Sequence, residues 1–280
     1  MSEISEAEFL RFRDFFYRKT GIFFEPNKRY FVDKRLLQRM VRTGHQGFRE
    51  YFTHLRFEAS GEELQQLTSL LTVNETYFFR EEYQFECMVG PVLAEVVKNR
   101  RDKAPVRIWS MPSSTGEEPY SIALYLLESW PQIGEVDVEI AASDIDLRVL
   151  QLAKEGIYSE RSVRNLPKAV LDKYFAPVAR GHFQVCKDLR ETVAFSEANL
   201  SNPLQTRKFR GFDVIFCRNL LIYFDDASRR IAAEALYDAL KPGGFLFLGH
   251  SESMSRISSL FTVRRFPQAI VYQRPGDAGK

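Results

Sequence analysis

The alternation of strand-like and helix-like runs after residue 104 constrains the fold of this chain more than any other feature. The strand-like runs are "VRIW", "VDVEIAAS", "VAFSE", "FDVIFC" and "GFLFLG", and the helix-like runs between them are "YSIALYLLESW", "LRVLQLAKEG" and "ASRRIAAEALYDAL". Such alternation predicts an α/β fold with a doubly wound, mostly parallel sheet. Two further strand-like runs, "FTVRRF" and "AIVYQR", are separated only by "PQ", so we expect an antiparallel hairpin at the C-terminal end of the sheet.

The rest of the chain divides by the same patterns. In residues 1–85 apolar side chains recur at steps of three and four, which predicts a small all-helical N-terminal domain. Residues 86–103 are expected to form a linker helix, and residues 104–280 the sheet domain. The stretch after "LAKEG" is too long for an ordinary connection. It contains "HFQVCKDL", which alternates like a short exposed strand, so we expect an inserted β subdomain at 157–195.

Composition excludes several classes of protein. The net charge of +2 gives no global signature of nucleic-acid or membrane binding. No run approaches the roughly 18 apolar residues of a membrane span, and the polar start "MSEISEAEF" does not resemble a signal peptide. The 3 cysteines and 4 histidines lack the spacing of metal ligands, so we expect no metal and reduced thiols in the cytoplasm.

Three segments are expected to meet where the parallel strands end, which is where such sheets bind ligands. They are the loop 111–118, "SDID" at 143–146 and "CRNLLIYF" at 217–224. An acidic residue after the second strand usually binds ribose hydroxyls; Asp144 is best placed, with Asp146 as the alternative.

The first loop argues against a dinucleotide, because Glu117 and Glu118 would repel a pyrophosphate and no G-x-G-x-x-G is present. A cationic ligand with a ribose, such as S-adenosylmethionine, fits better. The alternative is that both carboxylates are solvated residues in the first turn of a helix, where they favour its dipole.

Five motifs in order carry a resemblance to a known family: "LLTVNETYFFRE", "STGEEPYSIA", "ASDID", "IFCRNLLIYFD" and "LKPGGFLFLGHSES". With them the chain resembles the chemotaxis receptor methyltransferases, the CheR-type protein-glutamate O-methyltransferases, over nearly its whole length. The resemblance implies a cytoplasmic enzyme that uses S-adenosylmethionine, releases S-adenosylhomocysteine, and methylates glutamates on the cytoplasmic helices of chemoreceptors.

The resemblance also implies roles for individual residues. The cofactor-binding residues would be Asn74, Thr76, Arg80, Glu117 or Glu118, Asp144, Asn199, Leu200, Arg218 and Asn219. Asn199 and Leu200 would flank the adenine, although Asn199 could also be a simple turn former. Tyr223 and Arg80 would act near the transferring methyl group.

One departure from the family pattern lies in the first loop, where Met111 and Pro112 replace small residues. Because proline lacks an N–H and methionine adds bulk, we expect the loop to lie further out or the cofactor affinity to be reduced. If this spoiled the site, the chain would be a non-catalytic scaffold. A nucleic-acid methyltransferase would share the cofactor domain, but it should show a broad basic surface.

Two expectations concern the partner. Arg35, Arg39 and Arg42 fall at i, i+4 and i+7 of a predicted helix, so we expect them to form a basic stripe that docks a glutamate-rich receptor helix. Some family members bind a receptor's C-terminal pentapeptide through a glycine-containing loop in the β subdomain. This chain has only the compact "ARGHFQV" with Gly181, so no tight tether is expected. We also expect a monomer that does not bind nucleic acid and does not insert into a membrane.

Overall fold

The computed structural model describes residues 4–100, 103–179 and 181–276. Arg180 of the tether loop, residues 101–102 of the expected linker, and both chain ends at 1–3 and 277–280 therefore lie outside the described residues.

The chain begins with helices. They are α1 (Glu6–Thr20), α2 (Arg29–Arg42), α3 (Phe48–Phe57), α4 (Glu62–Leu71), α5 (Tyr83–Cys87) and α6 (Leu93–Asn99). A π-helical turn at Met88–Val92 joins α5 to α6 and contains Pro91, which cannot donate a backbone hydrogen bond. Helix α1 starts at a capping box made by Ser5 and Glu8 and ends at Gly21, which has a positive φ of 76°.

A mixed sheet of seven strands forms the centre of the molecule. Its strands are β1 (Val106–Ser110), β2 (Val138–Asp144), β6 (Val193–Glu197), β7 (Phe212–Cys217), β8 (Leu240–Leu248), β9 (Thr262–Arg265) and β10 (Ile270–Gln273). Their order is β6-β2-β1-β7-β8-β10-β9. The first five strands of this order are parallel, and β10 pairs antiparallel with both β8 and β9. The predicted sheet and C-terminal hairpin are confirmed.

Helices flank the sheet and fill its connections. They are α7 (Glu117–Ser129), α8 (Leu147–Glu155), α9 (Glu160–Val163), α10 (Lys168–Tyr174), α11 (Lys187–Glu191), α12 (Pro203–Thr206) and α13 (Asp226–Ala239). A separate sheet of three antiparallel strands, β3 (Ile157–Ser159), β5 (His182–Val185) and β4 (Phe175–Ala179), lies in the long connection between β2 and β6. The predicted inserted β subdomain is therefore present.

Strand β7 shows how the core is divided. All of its residues are buried, and successive side chains point to opposite faces of the sheet. Ile215 and Cys217 pack with α13 and the N-terminal helices, whereas Val214 and Phe216 pack with α7 and the segment of α5 and α6. The N-terminal helices are thus fixed to one face of the sheet by a continuous apolar core.

The predicted stripe on α2 is wrong at Arg39. This side chain is only 7% exposed, beside the inward-facing Leu36 and Met40. Its guanidinium donates hydrogen bonds to both carboxylate oxygens of Glu63 on α4, at 3.0 and 2.5 Å. Arg39 therefore holds two helices together, because α2 turns it toward the core rather than toward the surface. Arg42 is exposed, and Arg35 is half-buried with its guanidinium over the ring of Phe31.

The described residues contain neither a candidate membrane span nor a candidate metal cluster. Over 4–100, 103–179 and 181–276 no helix combines the length and the apolar character needed to cross a bilayer. The same residues contain no cluster of three or more His, Cys, Asp or Glu side chains placed to hold a metal ion.

Candidate active site

A cavity of about 150 Å³ lies at the carboxyl ends of β1, β2 and β7. Strand β1 is the point where the chain reverses direction across the sheet, with β2 on one side and β7 on the other. Ligands of doubly wound folds bind at this kind of position. The cavity is lined by Val73, Asn74, Glu75, Thr76, Tyr77, Arg80, Phe85, Pro112, Ser113, Ser114, Glu118, Asp144, Arg218, Asn219, Ile222 and Tyr223.

Asp144 ends β2 and is almost completely buried at the cavity wall. Its carboxylate accepts hydrogen bonds from the backbone N–H groups of Ser114, at 2.9 Å, and Asp146, at 3.0 Å. Burial nevertheless raises the pKa of Asp144 to about 6. A ligand that donated hydroxyl groups to this carboxylate would stabilise its charged form.

Asp146, the alternative ribose residue, is engaged elsewhere. Its carboxylate accepts a hydrogen bond from the backbone N–H of Arg148, at 2.9 Å, and so caps α8. It also accepts from the hydroxyl of Ser69, at 2.6 Å, and from the amide of Asn74, at 3.4 Å. Asp146 therefore connects α4 and the Asn74 segment to the sheet, and it does not line the cavity.

The two glutamates of the first loop differ in their surroundings. Glu118 lines the cavity, whereas Glu117 does not; its carboxylate accepts a hydrogen bond from the hydroxyl of Thr115 at 2.6 Å. Glu117 is buried and the Glu118 side chain is 13% exposed, and desolvation raises the pKa of each carboxyl group. The preceding Gly116 has a φ of 97°, and a Cβ there would lie 2.8 Å from the hydroxyl of Tyr158. Only glycine fits this sharp entry to α7.

Arg218 is a buried cation between two carboxylates. Its guanidinium lies 3.0 Å from Glu118 and 3.2 Å from Glu81, and it also donates to the backbone carbonyl of Arg80 at 2.7 Å. Burial opposes the charge of Glu81, but Arg218 and His250 together hold the pKa of Glu81 below its usual range. The Nε atom of Arg218 is buried and has no hydrogen-bond partner among the described residues. The structure therefore leaves one buried donor of this side chain unpaired.

Tyr223 and Arg80 lie on opposite segments that both line the cavity. Arg80 donates a hydrogen bond to the backbone carbonyl of Glu75 at 2.9 Å, which fixes it beside the Asn74 segment. Burial raises the pKa of Tyr223, and the positive charge of Arg80 opposes this only in part. The Tyr223 hydroxyl is therefore protonated at neutral pH.

Glu252 is a supporting residue that sequence reasoning missed. Its carboxylate accepts hydrogen bonds from the backbone N–H groups of Asn219, Leu221 and Gly249, at 2.8, 2.7 and 2.9 Å. It thereby fixes Asn219, which has a positive φ of 57°, at the cavity wall. A Cβ at Gly249 would lie 2.7 Å from the Asn219 amide. The signal was the "GHSES" run, which was used only for the family resemblance.

A larger cleft of about 690 Å³ adjoins the cavity and is shared with the N-terminal helices. Asp144, Asn219 and Tyr223 line both spaces. Most of the cleft wall is apolar, formed by Ile22, Phe23, Phe24, Phe31, Leu71, Val73, Met111, Ile145, Leu220, Ile222 and Phe224. A polar, charged space and a mostly apolar one are therefore adjacent, and Asp144 is among the residues that line both.

Besides Glu117, two further predicted cofactor residues line neither the cavity nor the cleft. Leu200 is buried in the core. The amide group of Asn199 donates to the backbone carbonyl of Lys19, at 2.7 Å, and accepts from the backbone N–H and the hydroxyl of Ser201. Asn199 thus ties α1 to the sheet, and contact of either residue with adenine stays a prediction. The predicted cofactor residues that do meet at the cavity are Asn74, Thr76, Arg80, Glu118, Asp144, Arg218 and Asn219.

The family descriptions that match the chain divide it into two parts. "CheR methyltransferase, all-alpha domain" matches residues 7–72, and "CheR methyltransferase, SAM binding domain" matches residues 74–270. The second match includes every residue described as lining the 150 Å³ cavity except Val73.

Known relatives agree with the family match. Chemotaxis protein methyltransferase 2 of Vibrio cholerae is 60% identical over 272 residues, covering 97% of this chain and 94% of the relative. Chemotaxis protein methyltransferase of Escherichia coli is 36% identical and covers 93% and 89% of the two chains. The solved N-methyltransferase NodS of Bradyrhizobium japonicum covers 72% of this chain and 90% of its own, at 12% identity and a TM-score of 0.42, too low to support an inference. By the family matches and the identity to these two methyltransferases, the chain belongs to the CheR methyltransferase family.

Proposed function

We propose that the chain transfers a methyl group from S-adenosylmethionine to glutamate side chains on the cytoplasmic helices of chemoreceptors. The observation that carries this proposal is the meeting of two spaces at Asp144. One space offers carboxylates and a buried arginine, and the other offers an apolar wall. This combination suits a ligand that has an amino-acid group, a ribose and an apolar base, and that carries no phosphate.

Each part of that cofactor has residues that would hold it. The Asp144 carboxylate would accept ribose hydroxyls, and Glu118 together with Asn74 would face the ammonium group. The unpartnered Nε of Arg218 and the side chain of Asn219 would bind the methionine carboxylate. Ile145 and Met111, in the wall of the cleft, offer apolar surface to the adenine. The effect of Met111 and Pro112 on affinity stays a prediction.

The proposed reaction needs no general base. A glutamate carboxylate has an ordinary pKa near 4.3 and is ionised at neutral pH. The cofactor supplies an electrophilic methyl group on a sulfonium, and the described lining of the cavity contains no histidine or lysine. What remains for the protein is to position the carboxylate, which can lower a barrier by roughly 7–11 kcal/mol in favourable cases.

Tyr223 and Arg80 are the residues proposed to do that positioning. The protonated Tyr223 hydroxyl can donate a hydrogen bond to the substrate carboxylate and limit its rotation. Arg80 can attract the carboxylate into the cavity. A strong contact between Arg80 and the attacking oxygen would reduce its nucleophilicity, so the useful contact is to the other oxygen.

The proposed partner is the helical cytoplasmic part of a chemoreceptor. Arg35 and Arg42 on α2 remain candidates for docking an acidic helix, whereas Arg39 is removed from this role by its buried pairing with Glu63. We also retain as proposals a cytoplasmic monomer, no nucleic-acid partner and no tight pentapeptide tether. The same holds for the division into a helical domain at 1–85, a linker at 86–103 and a methyltransferase domain at 104–280.

The deciding experiment is transfer of a tritiated methyl group from S-adenosylmethionine to purified receptor fragment. We expect incorporation into the receptor as an alkali-labile ester, and none into RNA. Calorimetry with S-adenosylhomocysteine provides the control for an intact cofactor site. Cofactor binding without transfer to any receptor would contradict the proposed reaction and favour a scaffold.

A further inference from the structure

A groove beside the active site contains arginines to which the proposed reaction assigns no role. Its volume is about 390 Å³, compared with about 690 Å³ for the apolar cleft. The groove is lined by Leu221, Ile222, Asp226, Arg229, Arg230, Ser251, Glu252, Ser253, Arg256 and Ile257. It lies between the start of α13 and the 3₁₀ turn at Met254–Arg256.

The positive charge of this groove is not fully compensated by its own acids. The Glu252 carboxylate is taken up by three backbone N–H groups, and Asp226 pairs with Arg229 at 3.2 Å. Arg229 is also fixed by a hydrogen bond to the backbone carbonyl of Leu221 at 2.9 Å. The exposed side chains of Arg230 and Arg256 form no hydrogen bond or ion pair with any residue that the structure describes.

The groove is continuous with the active site through one residue. Ile222 precedes Tyr223 and lines the groove, the catalytic cavity and the apolar cleft. Its side chain is 45% exposed, which is high for a large apolar residue between three concave surfaces. A chain segment that placed a carboxylate at Tyr223 and continued over Ile222 would enter the groove.

We propose that this groove binds an acidic segment of the methylated protein, next to the glutamate that enters the catalytic cavity. Arg230 and Arg256 would pair with carboxylates of that segment, and Ile222 would contact its apolar side chains. This inference rests on the proposed function, because it assumes that the substrate is an acidic polypeptide. It adds a docking surface on the sheet domain, separate from the cations of α2.

Charge complementarity makes an acidic polypeptide the expected occupant. Two unpaired guanidinium groups attract carboxylates, accelerate encounter and fix the register of an extended partner. The apolar floor of Leu221, Ile222 and Ile257 suits side chains of a polypeptide better than it suits a small hydrated anion.

The test compares Arg230→Glu/Arg256→Glu with a matched control, Arg207→Glu/Arg265→Glu. The control changes the same charge at two exposed arginines that do not line the groove. Binding of a glutamate-rich receptor helix is measured by fluorescence anisotropy at low salt, with S-adenosylhomocysteine present. We expect the groove variant to bind at least tenfold more weakly and the control within twofold. The affinity for S-adenosylhomocysteine should be equal in all three proteins.

Two more variants keep the test decisive. Arg230→Lys/Arg256→Lys should retain most of the binding, and Arg230→Gln/Arg256→Gln, which adds no repulsion, should lose about threefold or more. Equal binding by the groove variant and the wild type would overturn the inference, as would inhibition of wild-type binding by millimolar phosphate at constant ionic strength, which would indicate a small-anion site. Failure of the wild type to transfer a methyl group would instead count against the proposed function, because the binding comparison does not depend on turnover.

Discussion

Asp144 is a residue of the proposed site whose charge changes near pH 6. Burial raises its pKa to about 6, so the carboxylate is ionised at pH 7.5 and becomes protonated as the pH falls through 6. A protonated carboxyl accepts fewer ribose hydrogen bonds. We therefore expect the dissociation constant of S-adenosylhomocysteine to rise up to tenfold per pH unit below about pH 6, measured by calorimetry.

The matched variant for this prediction is Asp144→Asn. It should bind S-adenosylhomocysteine about 1.5–3 kcal/mol more weakly at pH 7.5, the scale of hydrogen bonds to a charged group. Its affinity should change less between pH 5 and 7.5 than that of the wild type, because one of the titrating carboxyl groups is gone. A wild-type affinity that is independent of pH over this range would remove Asp144 from the ribose role.

Tyr223 provides the second test at the residue scale. Its hydroxyl is expected to orient the substrate rather than to accept a proton, because its pKa is raised above the usual value near 10. Tyr223→Phe should therefore lower kcat by about tenfold and leave the affinity for S-adenosylhomocysteine within twofold. The remaining kcat should show no ionisation between pH 6 and 8; a single ionisation there that disappears in Tyr223→Phe would contradict the mechanism.

Helix α2 illustrates how an element changes the meaning of a residue pattern. The spacing of Arg35, Arg39 and Arg42 places all three on one side of α2. At Arg39, however, that side of the helix packs against the core. The sequence could not show this, because the partner Glu63 lies on α4, 24 residues away. Burial of a cation is permitted only by such a pairing, and pairing across helices is not visible in local spacing.

A stability measurement tests the role of Arg39. Arg39→Ala would leave the buried carboxylate of Glu63 without its cation, so we expect a loss of about 3–5 kcal/mol in the free energy of unfolding. Chemical denaturation followed by circular dichroism measures this loss. The exposed Arg42→Ala is the control and should change the stability by less than about 0.5 kcal/mol. If the two variants were equally stable, Arg39 would have no structural role and would again be a candidate for docking the receptor.

The end of α1 and the connection that follows it support the segment that carries Tyr223. The Tyr17 hydroxyl donates a hydrogen bond to the Asp225 carboxylate at 3.0 Å, and the backbone N–H of Phe23 donates to the carbonyl of Tyr223 at 3.2 Å. We expect Tyr17→Phe to lower kcat by about three- to tenfold while changing stability by about 1 kcal/mol or less. Cofactor affinity should be unchanged, and Tyr30→Phe, at an exposed position, should have no effect on kcat. If Tyr17→Phe lowered cofactor affinity by the same factor as kcat, the hydrogen bond between Tyr17 and Asp225 would support the site as a whole and not Tyr223 in particular.

At the scale of the whole molecule, the sheet could be predicted from the sequence, whereas the apolar cleft could not. Strand-like runs separated by helix-like runs predict β1, β2, β6, β7 and β8. The apolar pattern is strongest where a parallel strand is fully buried, as in β7. The three loops that meet at the cavity follow from the geometry of strand ends. The apolar cleft depends on how Phe24, in the connection between α1 and α2, and Phe31, on α2, face Ile145 and Leu220. This packing of distant segments leaves no periodic signal in the sequence.

The arrangement of charges over the whole surface sets the expected kinetics of receptor recognition. Exposed cations lie on α2, at Lys34 and Arg42, and in the groove at Arg230 and Arg256, while the net charge of the chain is only +2. Binding of the receptor would then depend on the local electric fields of these cations. Salt weakens such fields, because the Debye length falls from about 10 Å at 0.1 M to about 4 Å at 0.5 M. A peptide tether would make the enzyme much less sensitive to salt.

We therefore expect kcat/KM for a receptor fragment to fall at least tenfold between 0.05 and about 0.5 M salt, with kcat nearly constant, because screening slows encounter without changing the bound geometry. Arg35→Glu/Arg42→Glu should lower kcat/KM at low salt at least tenfold and should flatten its salt dependence, with thermal unfolding as the check on folding. A free C-terminal receptor pentapeptide at micromolar concentration should not inhibit. Inhibition by that peptide, together with a rate that does not respond to salt, would show that recruitment occurs through a tether instead.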